Sequence, residues 1–219
     1  SPNRRDCALG AATPGGRNDT YLRAPRGDRG QSDCSFLRNC ELEGIDIALD
    51  GRRFALAGNR LRHVRLRAQN IPGLELHSNT LHNCALRLDT GTDFVGNRID
   101  GGYARIATLR CHGNRFEHVA WGLWLSGNTF ADNTYLGCGD ITLSGSAARL
   151  ERERFDGNRT GLRIATQGPV TLDHCDFGRT QPNIDGDLIA GAAAVELLSC
   201  RFSPEIRIRI DKAGSVRST

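Results

Sequence analysis

Along this chain apolar residues come in short bursts of strict alternation. Val64-Arg-Leu-Arg, Ala85-Leu-Arg-Leu, Ala104-Arg-Ile-Ala and Gly122-Leu-Trp-Leu are followed by Asp140-Ile-Thr-Leu, Gly161-Leu-Arg-Ile and Ile206-Arg-Ile-Arg-Ile. Alternation over four or five residues is the mark of a strand with one buried and one solvated face, and no segment sustains the 3.6-residue period of a helix. A second motif accompanies the first: a small or amide residue, a polar residue, then a large apolar one. It reads Gly-Asn-Arg-Leu at 58–61, Ser-Asn-Thr-Leu at 78–81, Gly-Asn-Arg-Ile at 96–99 and Gly-Asn-Arg-Phe at 113–116. Degenerate copies stand at 33–36, 152–155, 174–177 and 199–202.

Asn59, Asn79, Asn97 and Asn114 are 20, 18 and 17 residues apart. The next good local copy puts Asn128 only 14 residues on, too short for a coil of similar size, whereas Asn133 gives 19 and Glu153 a further 20. Asn133 therefore fits the ladder better than Asn128. Cys175 and Cys200 continue it at steps of 22 and 25. Short strands at a period near 20 with Gly-Asn corners describe stacked coils, whose asparagine amides can bond from coil to coil. Asparagine tolerates the left-handed corner conformation.

The expected fold is all-β: a single-stranded parallel β-helix of about eight or nine coils over residues 33–210. Residues 1–32 form a flexible or extended N-terminal arm and 211–219 a polar tail. The corner motif with its asparagine ladder resembles the pectate-lyase-like superfamily of right-handed parallel β-helices, over roughly residues 33–210. The motif is specific for that fold and says little about activity. A pentapeptide-repeat quadrilateral β-helix is the alternative, because Leu56, Leu61, Leu66, Ile71, Leu76, Leu81 and Leu86 fall at every fifth position.

Composition narrows the chemistry. Lys212 is the only lysine beside 28 arginines, which fits a GC-rich coding genome or the avoidance of lysine by an effector protein. The net charge is +4, of which residues 1–32 supply +3, so the repeat body is near neutral. Binding to nucleic acid is not expected of it. No apolar run reaches the length of a membrane span. The eight cysteines show neither CxxC pairs nor zinc spacing, and they read as buried thiols rather than a disulfide framework. Cys7 lies outside the repeats and is either reactive or bridged. No metal site or cofactor is expected.

Residues between the inward apolar ones face solvent, and in a solenoid equivalent positions stack into columns. The expected outward column runs Asp46, Arg65, Arg87, Arg105, Trp124, Thr142, Arg163 and Arg207. Guanidiniums stacked near 4.8 Å repel by about 0.9 kcal/mol even at the dielectric of water, so something anionic should lie near them. Arg65, Arg87, Arg105, Trp124 and Arg163 are the candidate substrate-binding residues, for an acidic polysaccharide whose carboxylates or sulfates meet arginine forks while a sugar ring stacks on Trp124. A solvated face is the competing reading: a second arginine column (Arg60, Arg98, Arg115, Arg154, Arg201) recurs beside acids such as Glu75, Asp93, Glu151 and Glu196.

The family resemblance implies, for a catalytic member, a lyase-type step with a basic residue abstracting a proton beside a carboxylate. Candidates in the loops are His63, His82, Asp100, Tyr103, His118, Asp132 and Asp140, with Tyr103 and His118 nearest the arginine and tryptophan strand. The Asp-Pro-His-Asp stretch of mannuronan-epimerase relatives is absent, as are the adjacent aspartates of polygalacturonase relatives. Most connections are short; the stretches 137–147 and 179–193 are the longer ones. The alternative function is a non-enzymatic protein-interaction scaffold, such as the solenoid domain of a secreted bacterial effector or surface protein. Either way, a secreted or cell-surface bacterial setting is favoured.

Overall fold

The computed structural model describes residues 19–23, 34–50, 53–71, 73–179, 187–190, 194–210 and 215–218. These form an all-β parallel solenoid of about eight turns. Each coil contributes one strand to each of three faces. The second coil runs Arg53–Ala57 on the first face, Arg60–Arg62 on the second and Arg65–Gln69 on the third. The second face is a nine-stranded parallel sheet, from Glu41–Glu43 to Arg201–Phe202. The first and third faces join as one sheet because Ala85–Val95 and Tyr103–His112 run through both without a break. No helix of the described residues is long and apolar enough to cross a membrane.

Three faces per coil exclude the quadrilateral alternative. The five-residue spacing is nonetheless real. Leu56, Leu61 and Leu66 are the inward residues of successive faces, and Ile71 fills the corner that follows; all four are buried. The register ends after Leu86 because Ala85–Val95 turns directly from one face into the next, with no separate corner residue.

Alternation does what the sequence implies. In Arg65–Gln69 the apolar Leu66 and Ala68 are buried and Arg65, Arg67 and Gln69 are exposed. Inward columns continue for many coils: Leu42, Leu61, Leu81, Ile99, Phe116, Tyr135, Phe155, Phe177 and Phe202 stack along the second face. Its last five rings lie nearly parallel, 4.7–5.2 Å between centroids. That spacing is the coil repeat itself, so the rings stack without distorting the strands.

The asparagine ladder occupies the corner between the first and second faces. Asn79 donates from Nδ2 to the Leu56 carbonyl (2.9 Å) and to Asn97 Oδ1 (2.9 Å), and the same Oδ1 accepts the Asn79 backbone N–H at 3.0 Å. The pattern repeats from Asn59 to Asn133 and ends at Glu153. Asn133 is the rung and is fully buried, while Asn128 is exposed. The asparagines themselves do not take the left-handed conformation. The preceding residue does, at φ between 50° and 65° in every coil: Asn39, Gly58, Ser78, Gly96, Gly113, Asp132, Arg152, His174 and Ser199. Glycine suits this position because a left-handed L-residue is strained.

Cys84, Cys111, Cys138 and Cys175 are buried thiols, Cys200 is a half-buried one, and Cys40 is disulfide-bonded. Cys7 and the Cys34 side chain lie outside the described residues. Within the stretch given to the N-terminal arm, Asp19–Arg23 pairs in parallel with Asp46–Asp50. Within the tail, Ser215–Ser218 pairs with Ala194–Leu198. The stretch 137–147 is not a free loop, since it contains the strand Ile141–Gly145.

Candidate functional site

The third face carries the expected arginines and tryptophan, but its register differs from the expected column. Backbone pairing aligns Arg67, Arg87, Arg105, Trp124, Thr142 and Arg163 in one outward row. Arg65 stands one outward position away, in the row of Asp46, Ala85 and Tyr103, and is paired to Asp46 at 3.2 Å. At the far end Arg209 continues the row through Ile189, while Arg207 pairs with Asp187 in the Arg65 row. Register in a solenoid is set by the residues inserted between coils, which alternation within a strand does not reveal.

The charges of the row are only partly neutralised. Asp89 Oδ2 accepts from Arg87 Nε at 2.6 Å, and Asp89 Oδ1 lies 3.2 Å from Arg105 Nε. One carboxylate therefore serves two guanidiniums. The Arg87 guanidinium is held more firmly protonated by that bond. Arg67 and Arg163 are exposed and have no ion pair among the described residues. Asp89 stands at the start of a bulge: between Leu88 and Thr92 three residues oppose the single Ala107 of the next coil.

Trp124 is 48% exposed and its indole turns back across the backbone of Gly122. Gly122 has φ of +111°, so this position favours glycine for its conformation, and a Cβ there would lie 3.0 Å from Trp124 Nε1 and shift the indole. Beside the indole is a shallow cavity of about 300 Å³, lined by Asp89, Arg105, Ala107, Trp124, Ser126 and Ser144. Ala120 and Trp121 are additional residues in this coil, since Tyr103 precedes Ala104 where Gly122 precedes Leu123, and Trp121 is 82% exposed. Sequence reading missed Arg67, Asp89, Trp121 and the two serines. Asp89 had a signal, since it follows Arg87 by two residues and so points the same way from the strand.

Tyr103 opens the third face, half-exposed and beside Ala85. His118 is exposed in the left-handed corner between the second and third faces, with Nδ1 3.1 Å from Asp100 Oδ1. His82 approaches the other oxygen of the same carboxylate at 3.4 Å, and His63 meets His82 edge to face at 6.1 Å. The corner thus gathers His63, His82, Asp100 and His118 into one line. The His118 hydrogen bond is the largest cause holding the Asp100 carboxyl below its ordinary value. Asp132 belongs to a different corner, where Arg152 binds it at 2.7 and 2.9 Å, and Asp140 sits 3.9 Å from Arg159. No group of three or more metal-ligating side chains stands together among the described residues.

The second face behaves differently from the third. Arg60 meets Glu41, Arg98 and Arg115 share Glu117, Arg154 meets Asp156 and Arg201 meets Asp176, at 2.7–3.3 Å. On the first face Arg110 meets Asp93 and Arg149 meets Asp173, each at 2.6 Å. A cavity of about 620 Å³ on the second face is lined by Glu43, Arg60, Arg62, His63, Thr80 and His82, a mixed-charge surface without an aromatic platform. Compared with known proteins, the chain matches no family model, no curated protein and no solved structure.

Proposed function

We propose that the third face binds an extended acidic polysaccharide, its anionic groups on Arg67, Arg87, Arg105 and Arg163 and a sugar ring on Trp124. One observation carries this reading. Among the described residues Arg67, Arg87, Arg105 and Arg163 of this row have Asp89 as their one acidic partner, and a half-exposed tryptophan interrupts the row. Coils repeat at about 4.8 Å, so Arg67, Arg87 and Arg105 on successive coils form a short series of forks, with Arg163 three coils beyond Arg105, for a polymer with repeating carboxylates or sulfates. The open face suits a chain lying along the solenoid better than a small enclosed substrate. This is a binding role of the kind the pectate-lyase-like resemblance implies, and membership of that superfamily belongs to the same proposal. If the face also acts as a lyase, Tyr103 and His118 supply the basic groups. The disulfide at Cys40 favours an oxidising compartment and hence an extracytoplasmic setting.

The test is titration of the full chain with polyuronates and sulfated glycans across a salt series, with a neutral glucan as control. Binding that weakens steeply with salt, falls at least tenfold in Trp124→Ala, and spares the neutral glucan supports the reading. Absence of binding at low salt, or equal binding of the neutral polymer, refutes it. Formation of unsaturated uronate ends during incubation would add the lyase step.

A second reading is favoured by Trp121, whose exposure is high for an indole. In it the same face docks an acidic protein surface and has no catalytic role. Loss of glycan binding in Trp124→Ala but not in Trp121→Ala separates the two.

A further inference from the structure

The first-corner ladder changes chemistry toward its end. After the amides of Asn59 to Asn133 and the carboxylate of Glu153, the next two positions are Cys175 and Cys200. Each thiol stands where an asparagine amide would and points to the same kind of acceptor. Cys175 Sγ donates to the Leu150 carbonyl at 3.6 Å, and Cys200 Sγ to the Leu172 carbonyl at 3.3 Å. The two residues are stacked one coil apart. Asp176 pairs with Arg201, Phe177 with Phe202, and the Arg201 N–H donates to the Cys175 carbonyl at 2.9 Å. Neighbours in such a stack have Cα atoms about 4.8 Å apart, inside the range of about 4.4–6.8 Å that a disulfide spans.

Among the described residues no other free thiol has this relation. Cys84 stacks between Val64 and Gly102, and Cys111 between Phe94 and Phe130. The rung above Cys138 is Asn158, whose Oδ1 accepts the Cys138 N–H at 2.8 Å.

We infer that Cys175 and Cys200 are a dithiol–disulfide couple, closed by exchange with a low-molecular-weight disulfide. Cys200 is half-buried and starts the exchange; Cys175 is buried and resolves it. The neighbouring Cys175 side chain lowers the Cys200 thiol below its ordinary value, while the Cys200 side chain and burial push the Cys175 thiol well above its own. In the first step the Cys200 thiolate attacks one sulfur of the small disulfide. A mixed disulfide forms at Cys200, and the first small thiolate leaves and takes a proton from water. In the second step Cys175 gives up its proton to solvent, and its sulfur attacks Cys200 Sγ, expelling the second small thiolate. Two electrons pass from the protein to the small disulfide, which ends as two thiols. The product replaces two thiols bonded to backbone carbonyls with a covalent rung between neighbouring coils.

Trypsin places the two cysteines in different peptides, 164–179 and 180–201, because Arg163, Arg179 and Arg201 flank them. The native chain is equilibrated in reduced and oxidised glutathione at several ratios, acid-quenched, alkylated and digested for mass spectrometry. The expected result is a linked pair of these peptides that grows with the oxidised fraction and disappears with excess dithiol. Cys175→Ser should trap glutathione on Cys200, and Cys200→Ser should leave Cys175 reduced. Should either variant fail to fold, the native chain decides alone. Alkylation of both thiols at every ratio, or glutathione accumulating on Cys200 of the native chain without the linked pair, would overturn the inference.

Discussion

Replacing Glu153 with Gln tests how the solenoid tolerates a carboxyl group in its interior. Glu153 is fully buried at a ladder position. Its Oε1 accepts the Asn133 backbone N–H and Nδ2, each at 3.0 Å, and its Oε2 accepts the Tyr135 hydroxyl at 2.7 Å. No cation among the described residues balances it. Asp132, Cys111, Cys175 and Tyr135 are the titratable groups around it. Burial raises the Glu153 carboxyl from 4.5 to about 7, against the lowering effect of the Tyr135 and Asn133 hydrogen bonds. Between these values the folded chain keeps a proton that the unfolded chain has released. Stability therefore falls as pH rises through that window, and the loss is complete above about 7. A displacement of this size corresponds to about 3 kcal/mol.

Glutamine keeps the shape and the acceptor oxygen but cannot ionise. Glu153→Gln should thus match the native chain near pH 4.5 and exceed it by about 3 kcal/mol at pH 8.5. For a chain of this size that is roughly 6–12 °C in Tm. The assay is urea unfolding followed by circular dichroism at half-unit pH steps. A difference between the two proteins that stays constant across the series would refute the reasoning, because it would mean that Glu153 does not exchange a proton on folding.

Three further outcomes follow from the same geometry. Asn114→Ala removes the oxygen that accepts the Asn97 N–H at 2.8 Å and the amide that donates to Phe94 at 2.7 Å, leaving buried backbone groups unpaired. A loss of about 2–4 kcal/mol in urea unfolding is expected. Phe155→Ala opens the ring stack between neighbours 4.7 Å away on both sides and should cost about 3–5 kcal/mol by the same measurement. Asp89→Asn releases Arg87 and Arg105 from their shared carboxylate, so polyanion affinity and its salt dependence should both rise, with only a small change in Tm because both guanidiniums are exposed. Isothermal titration at two salt concentrations reads that effect.

Much of the fold was legible in the sequence because its determinants are local. Two-residue alternation in Arg65–Gln69 dictates which side chains turn inward, and the spacing of Asn59, Asn79, Asn97, Asn114 and Asn133 dictates the coil length. The choice of Asn133 over Asn128 followed from length alone. The candidate face was legible in kind, since Arg87, Arg105 and Trp124 occupy outward strand positions.

Neighbour relations required the tertiary structure. Arg67, rather than Arg65, stands beside Arg87 because the number of residues between strands sets the register from coil to coil. Stacking of Arg105 on Arg87 gives Asp89 its second arginine, and two additional residues leave Trp121 in solvent. Cys175 and Cys200, 25 residues apart in the chain, become neighbours only because one full coil separates them. Alternation is fixed by the geometry of a single strand, whereas stacking is fixed by loop length and pairing between strands. Local residue order thus sets the coil and its inward face, and the packed solenoid sets which outward side chains meet.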